Sequence, residues 1–113
     1  MNVKIERLNS AFVREISYIL MTEIKDEDIK FVTITDCDIT SDLSFAKVYF
    51  TVLDESRKID TLKALDKASS FIRGKLSSRV DIRHTPELKF LYDESIEYGA
   101  HIEDIIEKIN ESK

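Results

Sequence analysis

The sequence predicts an α+β domain in which helices cover one face of a small mixed sheet. Three observations predict it: a long amphipathic segment at the start, two neighbouring segments rich in β-branched residues, and a third extended segment that begins at a proline. They give the order helix, strand, strand, bent helix pair, strand, C-terminal helix. With 113 residues, we expect one domain, 1–113, with one core and no separate catalytic domain.

The first helix is predicted over residues 3–24. Its apolar residues recur at steps of three and four, the spacing that places side chains on one face of a helix. They are Ile5, Leu8, Phe12, Ile16, Ile19 and Leu20. The charged residues 25–30 have no such period and predict a loop.

Two strands are predicted next, over residues 31–39 and 45–53, because β-branched residues dominate the first and apolar residues alternate along the second. The short polar side chains at 40–42 favour a turn between them. We therefore expect an antiparallel hairpin. The first strand carries apolar residues in both alternating phases, which leaves its register open.

A second helical region is predicted over residues 59–82, with small residues in its middle that favour a bend near Ser69 and Ser70. Thr85 must be extended because it precedes Pro86. The alternating residues 88, 90 and 92 then predict a third strand, whose buried face the pattern leaves undecided. Asp93 and Ser95 could cap a last helix that carries several isoleucines.

Charge is distributed unevenly along the chain. The net charge is −5, yet residues 57–84 carry eight basic and three acidic groups, whereas residues 26–56 carry two basic and eight acidic groups. A negative total argues against indiscriminate binding to nucleic acid, because the long-range field repels phosphate. A basic segment in an acidic protein instead predicts one local surface for phosphate groups.

That basic segment supplies the candidate nucleic-acid contacts. Its cations form two groups, each with members four residues apart on one helix face. The groups are Lys63 with Lys67, and Lys75 with Arg79 and Arg83. On one straight helix the two groups would lie about 100° or more apart. A bend could bring them onto one surface. The candidate RNA-binding residues are Lys63, Lys67, Ser69, Ser70, Arg73, Lys75, Arg79 and Arg83, with the two serines at the bend. The alternative is a solvated helix face without a ligand.

No catalytic residue, metal site or cofactor is predicted. One cysteine cannot form an intramolecular disulfide, so a reducing cytoplasm is expected, and Asp36 and Asp38 beside Cys37 would raise the pKa of its thiol. His84 and His101 have no ligand partner at metal-binding spacing. No window approaches the roughly 18 apolar residues of a membrane span. No acid, base and nucleophile converge, so an enzyme is not supported.

The order of elements is that of the bacterial KH-type RNA-binding fold, but Gly74 and Gly99 cannot form the Gly-x-x-Gly loop of KH domains. From about residue 7 to residue 106 the chain resembles ribosome-binding factor A, a family of bacterial ribosome-assembly factors. The segments that carry the resemblance are 32–39 (VTITDCDI), 42–49 (DLSFAKVY), 64–65 (AL), 68–73 (ASSFIR), 79–90 (RVDIRHTPELKF), 92–95 (YDES) and Gly99.

The resemblance implies a KH-like domain in which an Ala-x-Gly kink replaces the Gly-x-x-Gly loop. Here the matching triplet is 68–70, so Ser70 stands where the family usually has glycine, and serine adopts a positive φ at greater cost. The resemblance also implies a non-enzymatic factor that binds the small (30S) ribosomal subunit and its 16S rRNA late in maturation. We also expect from the resemblance that the protein supports 16S rRNA 5′-end processing and matters most in the cold. It is expected to be a monomer that binds neither a membrane nor a small molecule.

A second hypothesis is a non-catalytic protein-interaction module. In it, the isoleucine stripe of the predicted last helix binds a helical partner or a second copy of the chain. The stripe consists of Ile102, Ile105, Ile106 and Ile109. Core packing would explain the same pattern.

Overall fold

The computed structural model describes residues 3–95, and its helices and strands follow one another in the predicted order. The elements are α1 (Val3–Thr22), β1 (Val32–Ile39), β2 (Phe45–Val52), α2 (Lys58–Arg79) and β3 (Glu87–Tyr92). Single 3-10 turns at Glu27–Ile29 and Glu55–Arg57 precede β1 and α2. The α+β prediction is therefore confirmed. The predicted last helix, with its isoleucine stripe, lies outside the described residues.

The sheet has the order β1-β2-β3, with β1 antiparallel and β3 parallel to the central strand β2. On β2, the side chains of Ala46, Val48 and Phe50 are fully buried. α1 packs on β1, α2 packs on β3, and the two helices contact each other. Leu88 and Phe90 of β3 are buried in the same core, which decides the face that the alternation alone left open.

A β-bulge in β1 explains why its apolar residues occur in both phases. The register shifts between Ile34 and Asp36, so Ile34 is buried before the bulge and Cys37 after it. An extra residue reverses which side chains face the core. The extra residue, Thr35, donates a hydrogen bond to Asp93 Oδ2 at 2.6 Å and so joins β1 to the end of β3.

The hairpin between β1 and β2 is held by polar side chains, as predicted. Asp42 Oδ1 accepts hydrogen bonds from the hydroxyl of Thr40 (2.8 Å) and from the backbone N–H of Ser44 (3.0 Å). The Ser44 hydroxyl also donates to it at 2.6 Å. This bond is the largest cause of a pKa of Asp42 lowered to about 2, and the other two add to it. These bonds also stabilise the turn around Leu43, whose φ of 61° is unusual for a residue other than glycine.

α2 is one uninterrupted helix, which corrects the prediction of a bent helix pair meeting at Ser69 and Ser70. Its buried residues keep to one face from end to end: Thr61, Ala64, Leu65, Ile72 and Leu76. A single buried face allows the helix to contact the core without a corner. Ser69 donates its hydroxyl hydrogen to the carbonyl of Asp66 at 2.8 Å, within the same helix.

Candidate nucleic-acid interface

The outward face of α2 carries the two predicted cations of its first half. At about 100° per residue, Lys63 and Lys67 lie opposite the buried face, and both are exposed. Neither forms an ion pair with any of residues 3–95. The nearby carboxylates of Asp28 and Asp60 are instead paired with Arg57. The two ammonium groups are therefore available to an external anion.

A cleft of about 400 Å³ lies between α2 and the loop that leads to β3. We call it the basic cleft. α2 contributes Ser70, Gly74 and Ser77, and the loop contributes Arg83 and His84. A Cβ built on Gly74 would meet no atom within 4 Å, so a ligand could approach the helix backbone closely. Small side chains beside exposed cations suit a phosphodiester backbone.

Four residues that line this cleft were not among the sequence candidates: Gly74, Ser77, His84 and Thr85. Gly74 and Ser77 follow Ser70 at steps of four and three, which is the spacing of one helix face. That spacing could have revealed them, but glycine and serine carry no charge to draw attention to it.

Arg73 lies in the cleft wall but is engaged within the protein. Its Nε and Nη2 atoms both donate to the carbonyl oxygen of Thr85, at 3.1 and 2.7 Å. This forked contact fastens the loop to α2 directly beside Arg83 and His84. Arg73 therefore positions the cleft, and two of its five N–H donors are already used.

Arg79 joins α2 to α1. Its guanidinium lies 3.6 Å from Glu15 and 3.3 Å from Glu23, and it lies over the ring of Tyr18 at 4.4 Å. Desolvation acts to lower the pKa of Arg79, but the hydrogen bond and charge of Glu23 outweigh it, so the pKa is raised. An arginine held by two carboxylates and a ring is a structural contact between helices.

Lys75 also lies apart from the basic cleft. Its ammonium group is 5.6 Å from the ring centre of Phe71, and eight residues of continuous helix turn it about 80° away from Lys67. The single outward platform that a bend would have created is therefore absent from the described residues. The structure brings Ser70, Arg73 and Arg83 together, with Lys63 and Lys67 farther along the same helix.

Membrane-spanning helices and clusters of metal ligands are both absent from residues 3–95. No helix there combines the length and apolar character needed to cross a membrane. No three side chains of metal-ligand type converge there either.

Comparison with known proteins decides the family. A family model described as ribosome-binding factor A matches residues 4–106. The chain belongs to the ribosome-binding factor A family. A relative from Staphylococcus epidermidis, also called ribosome-binding factor A, is 46% identical over 112 residues, which is 98% of this chain and 97% of the relative.

Solved structures of ribosome-binding factor A have the same fold. The crystal structure of the Thermus thermophilus factor superposes with a TM-score of 0.72 at 24% identity, covering 78% of this chain and 94% of that one. A homology model of the Thermus thermophilus factor, fitted into a cryo-EM map of a 30S complex, gives a TM-score of 0.59 at 26% identity and covers 80% and 91%.

At Ser70, where the resemblance implies a glycine, the structure has a residue of continuous helix. Among the described residues, Leu43 is the one residue other than glycine with a positive φ. Ser70 therefore keeps an ordinary φ inside α2. Serine disfavours a positive φ, which agrees with the unbroken course of α2 through Ser70.

Cys37 is a buried structural thiol in this member of the ribosome-binding factor A family. Burial raises its pKa to about 12, and the charges of Asp36 and Asp38 add to the rise. Relative to an ordinary value of 9.0, the thiolate fraction near pH 8 falls about a thousandfold, since each pKa unit is a factor of ten. The thiolate is the reactive form.

We therefore expect Cys37 of the folded protein to react with iodoacetamide at pH 8 at least about a hundredfold more slowly than in urea. Mass spectrometry of timed samples would measure both rates. Native and denatured rates within tenfold of each other would contradict the burial and the raised pKa.

Proposed function

We propose that this protein binds the 30S ribosomal subunit and contacts its 16S rRNA through the basic cleft and the outward lysines of α2. One observation carries the proposal: Lys63, Lys67 and Arg83 are exposed and free of ion pairs among residues 3–95, on a protein with a net charge of −5. Membership of the ribosome-binding factor A family supports it. So does the 30S complex of the Thermus thermophilus factor.

The proposed mechanism is positioning, with no bond made or broken. RNA phosphates would lie against the small residues Ser70 and Gly74, with Arg83 and His84 on the opposite wall. Phosphate contacts fix orientation and register on RNA. Arg73 would act through the loop that it fastens, and Arg79 through the contact between the helices, so neither needs to contact RNA.

By holding an immature 16S rRNA arrangement until it is displaced, the protein would support processing of the 5′ end of the rRNA late in maturation. It would do so in the cytoplasm, together with the ribosomal subunits. No cofactor, substrate turnover or second copy of the chain is required for this role.

The salt dependence of binding tests the proposal and counts the contacts. Co-sedimentation with purified 30S subunits should give an association constant that falls with salt. If Lys63, Lys67 and Arg83 are the phosphate contacts, the logarithmic slope should be about −2 to −3, whereas contacts from all six predicted cations would give about −4 to −5. A flat dependence, or no co-sedimentation at low salt, would refute electrostatic docking on rRNA.

A further inference from the structure

The opposite end of α2 carries a second surface of different chemistry. A cleft of about 450 Å³ lies between the first 3-10 turn, the adjoining ends of β1 and β2, and the start of α2. Phe31 and Leu53 form its apolar part, and their side chains are 62% and 81% exposed. They are neighbours, because the Leu53 N–H donates to the Phe31 carbonyl at 3.3 Å. We call this surface the acidic cleft.

Carboxylates dominate its charge. Glu27, Asp28 and Asp54 line the cleft. Of its two cations, Arg57 pairs with Asp28. Lys30, whose ammonium group lies 5.6 Å from the ring centre of Phe31, forms no ion pair with residues 3–95, so the five charged side chains sum to −1.

Two of the carboxylates keep their charge available to a partner. Glu27 and Asp54 form no ion pair with any of residues 3–95. Hydrogen bonds from Ser56 lower the pKa of Asp54 and keep it ionised. Exposed apolar side chains beside unpaired carboxylates are suited to a cationic partner with an apolar anchor.

From these observations we propose that the acidic cleft binds a basic protein segment, with an apolar side chain between Phe31 and Leu53 and lysine or arginine at Glu27 and Asp54. The complementarity of charge selects protein over RNA, because unpaired carboxylates repel phosphate. The proposal deepens the proposed function and rests on it for the source of the partner, a protein of the same subunit.

The two surfaces can be used together. Arg57 in the acidic cleft and Gly74 in the basic cleft are seventeen residues apart on or beside α2, which is about 25 Å along a helix. The basic cleft could therefore contact rRNA while the acidic cleft contacts a neighbouring subunit protein, with Lys63 and Lys67 on the stretch of α2 between them. Contacts at two places on one particle strengthen binding beyond either alone.

The sign of a charge effect separates a protein partner from an RNA partner. Glu27→Lys adds positive charge in the acidic cleft, so it should weaken co-sedimentation with 30S subunits about tenfold if the partner is a basic segment. If RNA binds there, the same change should strengthen it. Leu53→Ser should also weaken binding about tenfold, while Val3→Ser, at a 60% exposed apolar residue at the far end of α1, should leave it unchanged. Unchanged or stronger binding by Glu27→Lys would overturn the proposal.

Photo-crosslinking identifies what lies in the acidic cleft. With p-benzoylphenylalanine in place of Leu53, irradiation with 30S subunits should yield a crosslink to a peptide rich in lysine and arginine. A crosslink to rRNA, to an acidic peptide, or to nothing would overturn the proposal.

The same probe in place of Lys67 tests the proposed function separately, since it should crosslink to rRNA. A Leu53 crosslink to a basic peptide without a Lys67 crosslink would refute rRNA docking by α2 and support the protein contact. Crosslinking by neither position would overturn both.

Discussion

Phe50→Ala should lower the free energy of unfolding by about 3–5 kcal/mol, the usual cost of truncating a fully buried phenylalanine. Phe50 is 0% exposed and lies on the central strand, paired with Ile34 of β1 and Tyr92 of β3. Its ring meets that of Tyr92 edge to face, 5.6 Å between centres. The substitution therefore removes a contact with both neighbouring strands and leaves a cavity between them.

Urea unfolding followed by circular dichroism would measure the loss. Domains of this size have about 5–15 kcal/mol in total, so the loss is a large share of the stability and should shift the urea midpoint clearly. Phe31→Ala is the matched control, because Phe31 is exposed at the end of the same sheet, and it should change stability by less than about 0.5 kcal/mol. If Phe50→Ala does not fold, Phe50→Leu keeps part of the volume and should lose less. Equal stabilities for the Phe50 and Phe31 variants would contradict the packing described.

The core around Phe50 was predictable because periodicity reports burial directly. The steps of three and four in α1 and the alternation in β2 group the residues that face inward, and the structure places those residues in one core. In β3 the alternation left the buried face open until the packing decided it. The bulge at Thr35 was not predictable in the same way. An extra residue inverts the pattern of β1, and without a partner strand the sequence shows only that both phases are apolar.

The candidate site was less predictable because a cation's role depends on what packs beside it. Arg79 and Lys67 look alike in the sequence, yet Arg79 meets Glu15 of α1 and Glu23 just after it only once the two helices pack. Likewise, the carbonyl that binds Arg73 belongs to Thr85, twelve residues away. The sequence predicted which segment is basic. The tertiary contacts decide which of its charges remain available.

Reversing the charges of the cations without internal partners should have the second large effect, on binding to 30S subunits. Lys63→Glu with Lys67→Glu should weaken binding to 30S subunits by about 1,000-fold at low salt, because each reversal replaces an attraction to phosphate of about 1 kcal/mol by a repulsion of similar size. The salt slope should also become shallower by about two. Co-sedimentation at several salt concentrations would measure both quantities. The fold should be unaffected, since both side chains are exposed and free of ion pairs among residues 3–95.

Arg79→Ala is the informative comparison, because it also removes a cation of α2. It should lower the thermal midpoint, since it leaves Glu23 without its partner and removes one of the two partners of Glu15, but it should preserve binding and the salt slope at temperatures where the variant is folded. If the Arg79 variant loses binding while the double lysine variant retains it, the contact surface lies on the α1 side of α2 and not on its outward face. A loss confined to the lysine variant would assign rRNA contact to the cations that the fold leaves free of internal partners.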